Sequence, residues 1–227
     1  MGFQLDFEFL GEYWPQFLKG ALVTIELSAG ATLFGFLLGL LCALGSTSRI
    51  APLRWLVAIY VEVIRNTPML VQLFLVFFGL ATLGLKLSAT TSAVIGLVVN
   101  IGAYSTEIIR AGIESIRPSQ IEAAEAMALS RWQVLSRVVL PPALERVYPA
   151  LTSQYVLLML GTSTASQISA EELTAWSSRI QSDTFRSFEV FIVAAVIYIG
   201  LSFAMRGLFA LIGRMVFVRH HRLGTPV

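Results

Sequence analysis

Mostly apolar stretches divide the chain into segments long enough to cross a membrane as helices, which need about 20 such residues. The stretches occupy residues 21–43, 56–85, 87–106, 147–170 and 190–205. The second is interrupted by the polar sequence Arg65-Asn66-Thr67-Pro68, and its Thr-Pro step predicts a split helix. The pattern therefore predicts an all-α integral membrane protein with about five transmembrane helices.

The composition agrees with lipid as the solvent of this chain. Apolar residues make up 56% of the 227 positions and charged residues only 13%, with a mean hydropathy of +0.76. A soluble domain carries roughly a quarter charged residues. The chain therefore has too little polar surface to cover itself in water.

The single cysteine, Cys42, excludes an intrachain disulfide and any multi-cysteine metal site. The N-terminus is acidic, so we expect no cleaved signal peptide and a retained first apolar stretch. His220 and His221 lie side by side in a basic tail, which is typical of a solvated chain end. We expect no metal site and no nucleic-acid partner.

Basic residues in short loops mark the cytoplasmic side of a membrane protein. They gather in three segments, after the first, third and fifth apolar stretches: Arg49, Arg54, Arg110, Arg117, Arg131, Arg137, Arg146, Arg214, Arg219 and Arg222. The other side carries the acidic N-terminus, Lys86 and a loop of mixed charge. An odd number of spans fits this division, with the N-terminus outside and the C-terminus in the cytoplasm.

A helix-prone, amphipathic segment from about Pro118 to Arg137 separates the third and fourth apolar stretches. Ser119 is a possible N-cap, because Glu122 follows three residues later at the spacing of a capping box. The segment fits a surface helix on the membrane. Its small residues also fit a docking element for a cytosolic partner, since they let another surface approach closely.

No nucleotide-binding or catalytic motif is present in the sequence. A phosphate-binding loop needs Gly-Lys-Ser/Thr, and the two lysines, Lys19 and Lys86, lie in other contexts. If ATP drives this protein, another polypeptide must bind it. We therefore expect a subunit that is not itself an enzyme.

The stretch Glu122-Ala123-Ala124, followed by Ala128 and by Val138-Val139-Leu140-Pro141, resembles the EAA loop of ABC importer permeases. Ala128 stands where that family usually has glycine, a change expected to suit a helix. By resemblance, the loop at about 116–142 forms coupling helices that sit in a groove of an ATP-binding subunit. The coupling residues implied are Glu122, Ala123, Ala124, Ala128, Leu129 and Arg131.

Three further stretches, 20–28, 64–72 and 103–113, resemble the polar amino-acid uptake branch of these permeases, and the likeness covers residues 15–215. It implies a type I ABC importer permease fold, a single permease domain over 1–227, and a location in the bacterial cytoplasmic membrane. It also implies a second permease subunit, identical or homologous, and an extracytoplasmic amino-acid-binding protein. A pair of ATP-binding subunits would hold the ATP and magnesium, and this chain would need no cofactor.

The interruption of the second stretch has a physical interpretation without the family. Pro68 lacks an amide hydrogen and frees carbonyls near Ile64, and freed backbone inside a membrane is tolerated where it is buried in protein or lines a cavity. An intramembrane arginine usually faces a partner or a water-filled path. Arg65 either pairs with nearby Glu62 or helps to bind the carboxylate of an amino acid. The residues proposed for this pathway are Arg65, Asn66, Thr67, Pro68 and Gln72.

The fourth stretch adds Gln154, Gly161, Thr162 and Ser163 to the candidate pathway. Hydroxyls in spans also bond their own helix or a neighbouring one. In the family, transporters of basic substrates carry charged residues at the positions of Gln154, Leu160 and Gly161. All three are uncharged here, which favours a neutral or acidic amino acid. Asn100 contacts either the substrate or another helix.

Two other classes of protein remain open on the residues alone. A transporter driven by an ion gradient would need intramembrane carboxylates, for which Glu26 and Glu62 are the candidates. An intramembrane enzyme would need a nucleophile, base or metal ligands, and no such set is visible. Glu107, Arg110 and Glu114 are spaced to form a stripe of salt bridges near the cytoplasmic end of the third span.

Overall fold

The computed structural model describes residues 5–217, so the predictions for Arg219, His220, His221 and Arg222 lie outside the described residues. All regular elements in 5–217 are helices. In chain order they are α1 (Leu10–Ser46), α2 (Ala51–Arg65), α3 (Met69–Thr82), α4 (Ala89–Glu114), α5 (Pro118–Ala126), α6 (131–161, with a π-helical stretch at Val134–Val139), a 3₁₀ helix (Thr162–Ile168), α7 (Leu173–Thr184) and α8 (Ser187–Val216).

Three of the described helices, α1, α4 and α8, are long and apolar enough to cross a membrane. The pair α2 and α3 is a fourth candidate, bent by 111° at the break between them. The predicted split of the second span is therefore confirmed. The fourth predicted span corresponds to α6 and the 3₁₀ helix. Among the described helices, α6 does not meet the same standard of length and apolar composition, so the count of five stays a prediction.

The core forms where α1 and α4 pack side by side. A Cβ atom added at Gly35 would lie 2.1 Å from Ile101 Cγ2, and one added at Gly39 would lie 2.4 Å from Ser105 Cβ. These glycines therefore permit a close approach that larger residues would block. At the same residue of α4, the Ser105 hydroxyl lies 3.3 Å from the Tyr155 hydroxyl of α6. Helix α4 is thus the central element that positions the others.

Helix α7 forms a small separate unit with the N-terminal ends of α1 and α8. Its buried apolar side chains, including Leu173 and Ile180, pack with Phe17 and Val190. The Arg186 guanidinium forms an ion pair with Asp6, so the N-terminal segment is joined to the start of α8. The Glu8 amide and this guanidinium lower the pKa of Asp6 below its ordinary value.

Candidate functional site

The break between α2 and α3 is closed by a side chain that replaces the missing amide of proline. In a continuous helix, the amide of residue 68 would donate to the Ile64 carbonyl, and Pro68 has none. Gln72 Nε2 donates to that carbonyl at 2.8 Å instead. It also reaches the Thr67 carbonyl at 3.1 Å and the Thr67 hydroxyl at 2.8 Å. Gln72 therefore satisfies the backbone that the break exposes.

A buried hydrogen bond fixes this break to the centre of the protein. Asn100 Nδ2 donates to Gln72 Oε1 at 2.9 Å, and both residues are less than a tenth exposed. Asn100 lies near the middle of α4, which has 26 residues. Of the two roles predicted for Asn100, the structure shows the hydrogen bond between helices. The break consequently sits level with the middle of α4.

Of the two alternatives for Arg65, the structure does not show the ion pair with Glu62. Glu62 Oε1 instead accepts a hydrogen bond from Asn66 Nδ2 at 2.9 Å, and the Arg65 guanidinium lies over the Tyr104 ring, 5.5 Å from its centroid. Asn66 lies one turn after Glu62, where α2 ends. Its side-chain amide therefore binds Glu62 in place of Arg65. Arg65, Asn66, Thr67 and Pro68 are all exposed on the surface of the single chain.

A second interruption of helical geometry meets the first. Helix α6 ends at Gly161 and continues as the 3₁₀ helix. A Cβ atom added at Gly161 would lie 3.4 Å from the sulfur of Met69, the first residue of α3. Two irregular backbones therefore come together at one depth, a geometry tolerated within a membrane where it is buried in protein or lines a cavity.

The polar residues of α6 and the 3₁₀ helix contribute less to this cluster than their sequence suggests. Thr162 is buried, and its hydroxyl donates to the Met159 carbonyl at 2.7 Å. The Ser163 hydroxyl donates to the Leu160 carbonyl at 2.8 Å. Both hydroxyls thus bond their own helix, the alternative weighed from the sequence. Gln154 lies two turns before Gly161, and its side chain makes no hydrogen bond within the described residues.

The predicted stripe of salt bridges on α4 is confirmed. Arg110 pairs with Glu107 and, at 2.5 Å, with Glu114. One turn further, Arg146 of α6 donates to the Ser115 carbonyl at 2.7 Å. The Arg146 hydrogen bond ties the end of α4 to α6 across the intervening loop.

That loop is the segment of the EAA pattern, and it contains a turn rather than one long helix. Helix α5 begins at Pro118 with Arg117 as the N-cap, so the prediction of Ser119 as the cap is wrong. Proline suits the first turn of a helix, and this places Ser119 inside α5. The capping box instead joins Ser130 and Gln133 at the start of α6.

The sequence led us to expect Ala128 within a helix. Instead it lies outside one and has a left-handed backbone with φ of 58°. The Leu129 amide donates to the Ala124 carbonyl at 3.3 Å, and the Ala128 amide donates to the Glu125 carbonyl at 2.9 Å. This pair of bonds is the Schellman motif, whose left-handed position favours glycine. The usual glycine of the family therefore has a conformational reason, and alanine carries strain there.

We expect Ala128→Gly to raise the free energy of unfolding by up to about 1 kcal/mol, because glycine removes the steric cost of the left-handed backbone. Ala126→Gly is the matched control. Ala126 is the last residue of α5, and glycine in a helix costs about 0.5–1 kcal/mol. Chemical unfolding of the purified chain in detergent measures both values, and a loss of stability in both variants would contradict the prediction.

Four of the six predicted coupling residues are exposed to solvent, and one is buried. The exposed residues are Glu122, Ala123, Ala128 and Arg131. Ala124 is only 2% exposed and packs into a cluster with Ile116 and Val139, because the turn folds α5 back onto α6. Ala124 thus permits close packing within the chain, and its predicted contact with a partner is not available at this surface.

Two large apolar residues on this surface were not among the predicted coupling residues. Met127 is 69% exposed and Trp132 is 68% exposed. They flank the turn at Ala128, one on each side. Large apolar side chains beside the turn of an amphipathic segment were the available signal, and such exposed side chains are typical of a binding surface. Leu129, between them, is half-buried and packs with the cluster around Ala124.

Comparison with known proteins gives consistent matches. Residues 35–218 match the family described as binding-protein-dependent transport system inner membrane component. The chain is 38% identical over 187 residues to the L-cystine transport system permease protein TcyB of Bacillus subtilis (strain 168), covering 82% of this chain and 80% of that protein. It is 35% identical over 211 residues to the nopaline transport system permease protein NocM of Agrobacterium fabrum (strain C58 / ATCC 33970), covering 88% of each.

The fold also matches solved structures. A crystal structure of an amino acid ABC transporter with histidines has a chain 36% identical to this one, with a TM-score of 0.85, and the match covers 94% of this chain and all of that one. An inward-facing structure of the MetNI methionine ABC transporter is 20% identical with a TM-score of 0.77, over 90% of this chain and 98% of that one.

Proposed function

We propose a translocation mechanism from the premise that this chain belongs to the family of binding-protein-dependent transport system inner membrane components and is the permease subunit of an amino-acid ABC importer. Its fold is the all-α fold of type I importer permeases. The chain is a multi-pass inner-membrane protein and a translocation subunit. The family does not favour the alternative of a secondary transporter driven by an ion gradient.

The pathway is proposed to pass the cluster where α2, α3 and the end of α6 meet. The observation that carries this proposal is the junction of two interrupted helices at the middle of α4, held by the bond between Gln72 and Asn100. Gln72 and Asn100 hold the break and do not need to touch the cargo. Arg65, Asn66 and Thr67 are exposed beside it and offer a guanidinium, an amide and backbone groups to an amino acid.

The cargo is proposed to be a polar neutral or acidic amino acid. A guanidinium binds carboxylates through parallel hydrogen bonds, so Arg65 suits the carboxylate that all amino acids share. Gln154, Leu160 and Gly161 supply no negative charge for a basic side chain. Relatives are named for transport of cystine and nopaline. Binding measured for all twenty amino acids by the delivering protein would identify the cargo.

Several partners are proposed together with this pathway. A second permease subunit, identical or homologous, completes the pathway, since the cluster is exposed on the single chain. A dimer of ATP-binding subunits, which hold the ATP and magnesium, docks on the surface around Glu122, Met127 and Trp132. An extracytoplasmic binding protein delivers the amino acid. The N-terminus lies outside, residues 1–227 form one permease domain, and the chain needs no cofactor of its own.

Arg65→Gln tests the pathway. We expect uptake by the reconstituted importer to fall at least tenfold at low substrate concentration, because the amide cannot replace a charge-assisted bond worth about 1.5–3 kcal/mol. Assembly with the ATP-binding subunits should be unchanged. The control is Arg54→Gln, an exposed arginine three turns earlier on α2 that donates to the Ser48 carbonyl. Equal uptake by both variants would remove Arg65 from the pathway.

A further inference from the structure

A tryptophan ring in contact with two cations lies in the first turn of α7. Lys19 Nζ is 4.8 Å from the centroid of the Trp176 ring, and the Arg179 guanidinium carbon is 4.9 Å from the same centroid. The electronegative face of an indole ring attracts cations, so the Trp176 ring stabilises both positive groups. We call these three residues the cation–tryptophan surface.

The backbone beneath this surface is packed tightly against α1. A Cβ atom added at Gly20 would lie 2.8 Å from Leu173 Cα and 3.1 Å from Trp176 Cδ1, so only glycine lets α7 approach this closely. The Leu173 amide also donates to the Thr24 hydroxyl at 3.2 Å. The cation–tryptophan surface therefore has a fixed position relative to α1.

A buried carboxylate fixes α7 to α8 as well. Glu172 is fully buried and accepts hydrogen bonds from the amides of Thr174 and Ala175, each at 2.9 Å. The Tyr198 hydroxyl of α8 donates to the same carboxylate at 2.6 Å. Burial raises the pKa of Glu172, and these hydrogen bonds oppose the shift. Helix α7 is thus bonded to two membrane-spanning helices, α1 and α8, and a displacement of α7 would move both.

The charges of this surface are only partly compensated within the chain. Arg179 pairs with Glu171 at 2.9 Å, whereas Lys19 has no carboxylate partner among the described residues. Both cations are exposed. The surface is therefore suited to a carboxylate from outside the chain.

We propose that the cation–tryptophan surface is the contact through which acidic side chains of the extracytoplasmic binding protein dock on this subunit. The inference rests on the proposed function and on the proposed orientation. A protein partner is favoured over an anionic lipid because Glu171, which pairs with Arg179 beside this surface, would repel a uniformly negative membrane. A protein can instead present acidic and basic groups in register. Tryptophan and arginine are also enriched at protein interfaces.

Charge complementarity at such a contact acts mainly on the rate of association and on its salt dependence. Reversing both cations should therefore weaken docking without changing turnover once the binding protein is bound. The test uses the complete importer in phosphatidylcholine nanodiscs. Its ATP hydrolysis is measured while the substrate-loaded binding protein of the importer is titrated at low and high salt.

For the double variant Lys19→Glu/Arg179→Glu, we expect the half-saturating concentration of binding protein to rise at least tenfold at low salt, with the wild-type maximal rate. The double variant Lys19→Gln/Arg179→Gln should give a smaller rise. Lys86→Glu is the matched control, because Lys86 is exposed on the same proposed side but outside the surface. Unchanged hydrolysis without binding protein verifies that each variant is folded and coupled.

A wild-type half-saturating concentration in the Glu double variant would overturn the proposal. So would an increase seen only in nanodiscs that contain anionic lipid, since that result assigns the cations to lipid headgroups. If no binding protein stimulates the wild-type importer, the proposed function itself fails, an outcome distinct from failure of this surface alone.

Discussion

Gln72→Leu is expected to lower the free energy of unfolding by about 1–3 kcal/mol and to abolish uptake, because a buried polar group left unpaired costs about that much. The substitution leaves the buried Asn100 Nδ2 without its hydrogen-bond acceptor. It also removes one of the donors to the Ile64 carbonyl and the side-chain donor to the Thr67 carbonyl. The break would then lose its link to α4. Unfolding in detergent and uptake in proteoliposomes measure the two effects.

The controls separate this structural role from contact with the cargo. Gln154→Leu removes a glutamine whose side chain makes no hydrogen bond within the described residues. The free energy of unfolding should therefore change by less than about 0.5 kcal/mol. Adding Asn100→Leu to Gln72→Leu should cost less than the sum of the two single changes, since they share one bond. Additive losses, or equal losses for Gln72 and Gln154, would show that the side-chain bond does not hold the break.

Trp132→Ala is expected to weaken binding of the ATP-binding subunits by about 2 kcal/mol, roughly 30-fold, as for a tryptophan at the centre of an interface. ATP hydrolysis stimulated by substrate should fall in parallel. Trp132 is 68% exposed and, with Met127, flanks the turn of the EAA loop. Glu122→Lys reverses a charge on the same surface and should give the same loss of stimulated hydrolysis while insertion into the membrane is retained.

Trp14→Ala is the control for lost apolar area, because Trp14 is 45% exposed but lies near the other end of the molecule. Pull-down of the ATP-binding subunits from detergent measures the interaction for each variant. If Trp132→Ala and Glu122→Lys both retain wild-type assembly and stimulated hydrolysis, the subunits dock on another surface.

The position of the break could be predicted from the sequence, but the way in which it is held could not. Pro68 lacks its amide wherever it occurs, so interruption of the helix follows from local chemistry. The bond between Gln72 and Asn100 joins residues that are 28 positions apart. It depends on how α3 packs against α4, which a local pattern does not contain. The hydrogen-bond partner of Glu62 could not be predicted for a similar reason: Asn66 competes for it only after α2 ends there.

In the coupling loop, too, the position could be predicted from the sequence and the detailed conformation could not. The spacing from Glu122 to Pro141 located the loop, because it reflects a recurrent pattern of residues. The left-handed backbone of Ala128 depends on two hydrogen bonds to α5 that form only once the chain turns. That turn also buries Ala124 and moves the capping box from Ser119 to Ser130. The exposure of Met127 and Trp132 follows from the same turn, so the side chains facing a partner could be recognised only in the folded chain.

Uptake by the purified chain in proteoliposomes, with and without its ATP-binding subunits, is the most direct test of an ATP-driven permease without its own motor. We expect uptake of a polar neutral or acidic amino acid only when the ATP-binding subunits, ATP with magnesium and the substrate-loaded binding protein are all present, and none when an ion gradient is the only energy source. Uptake by the chain alone, driven by a proton or sodium gradient, would contradict this function.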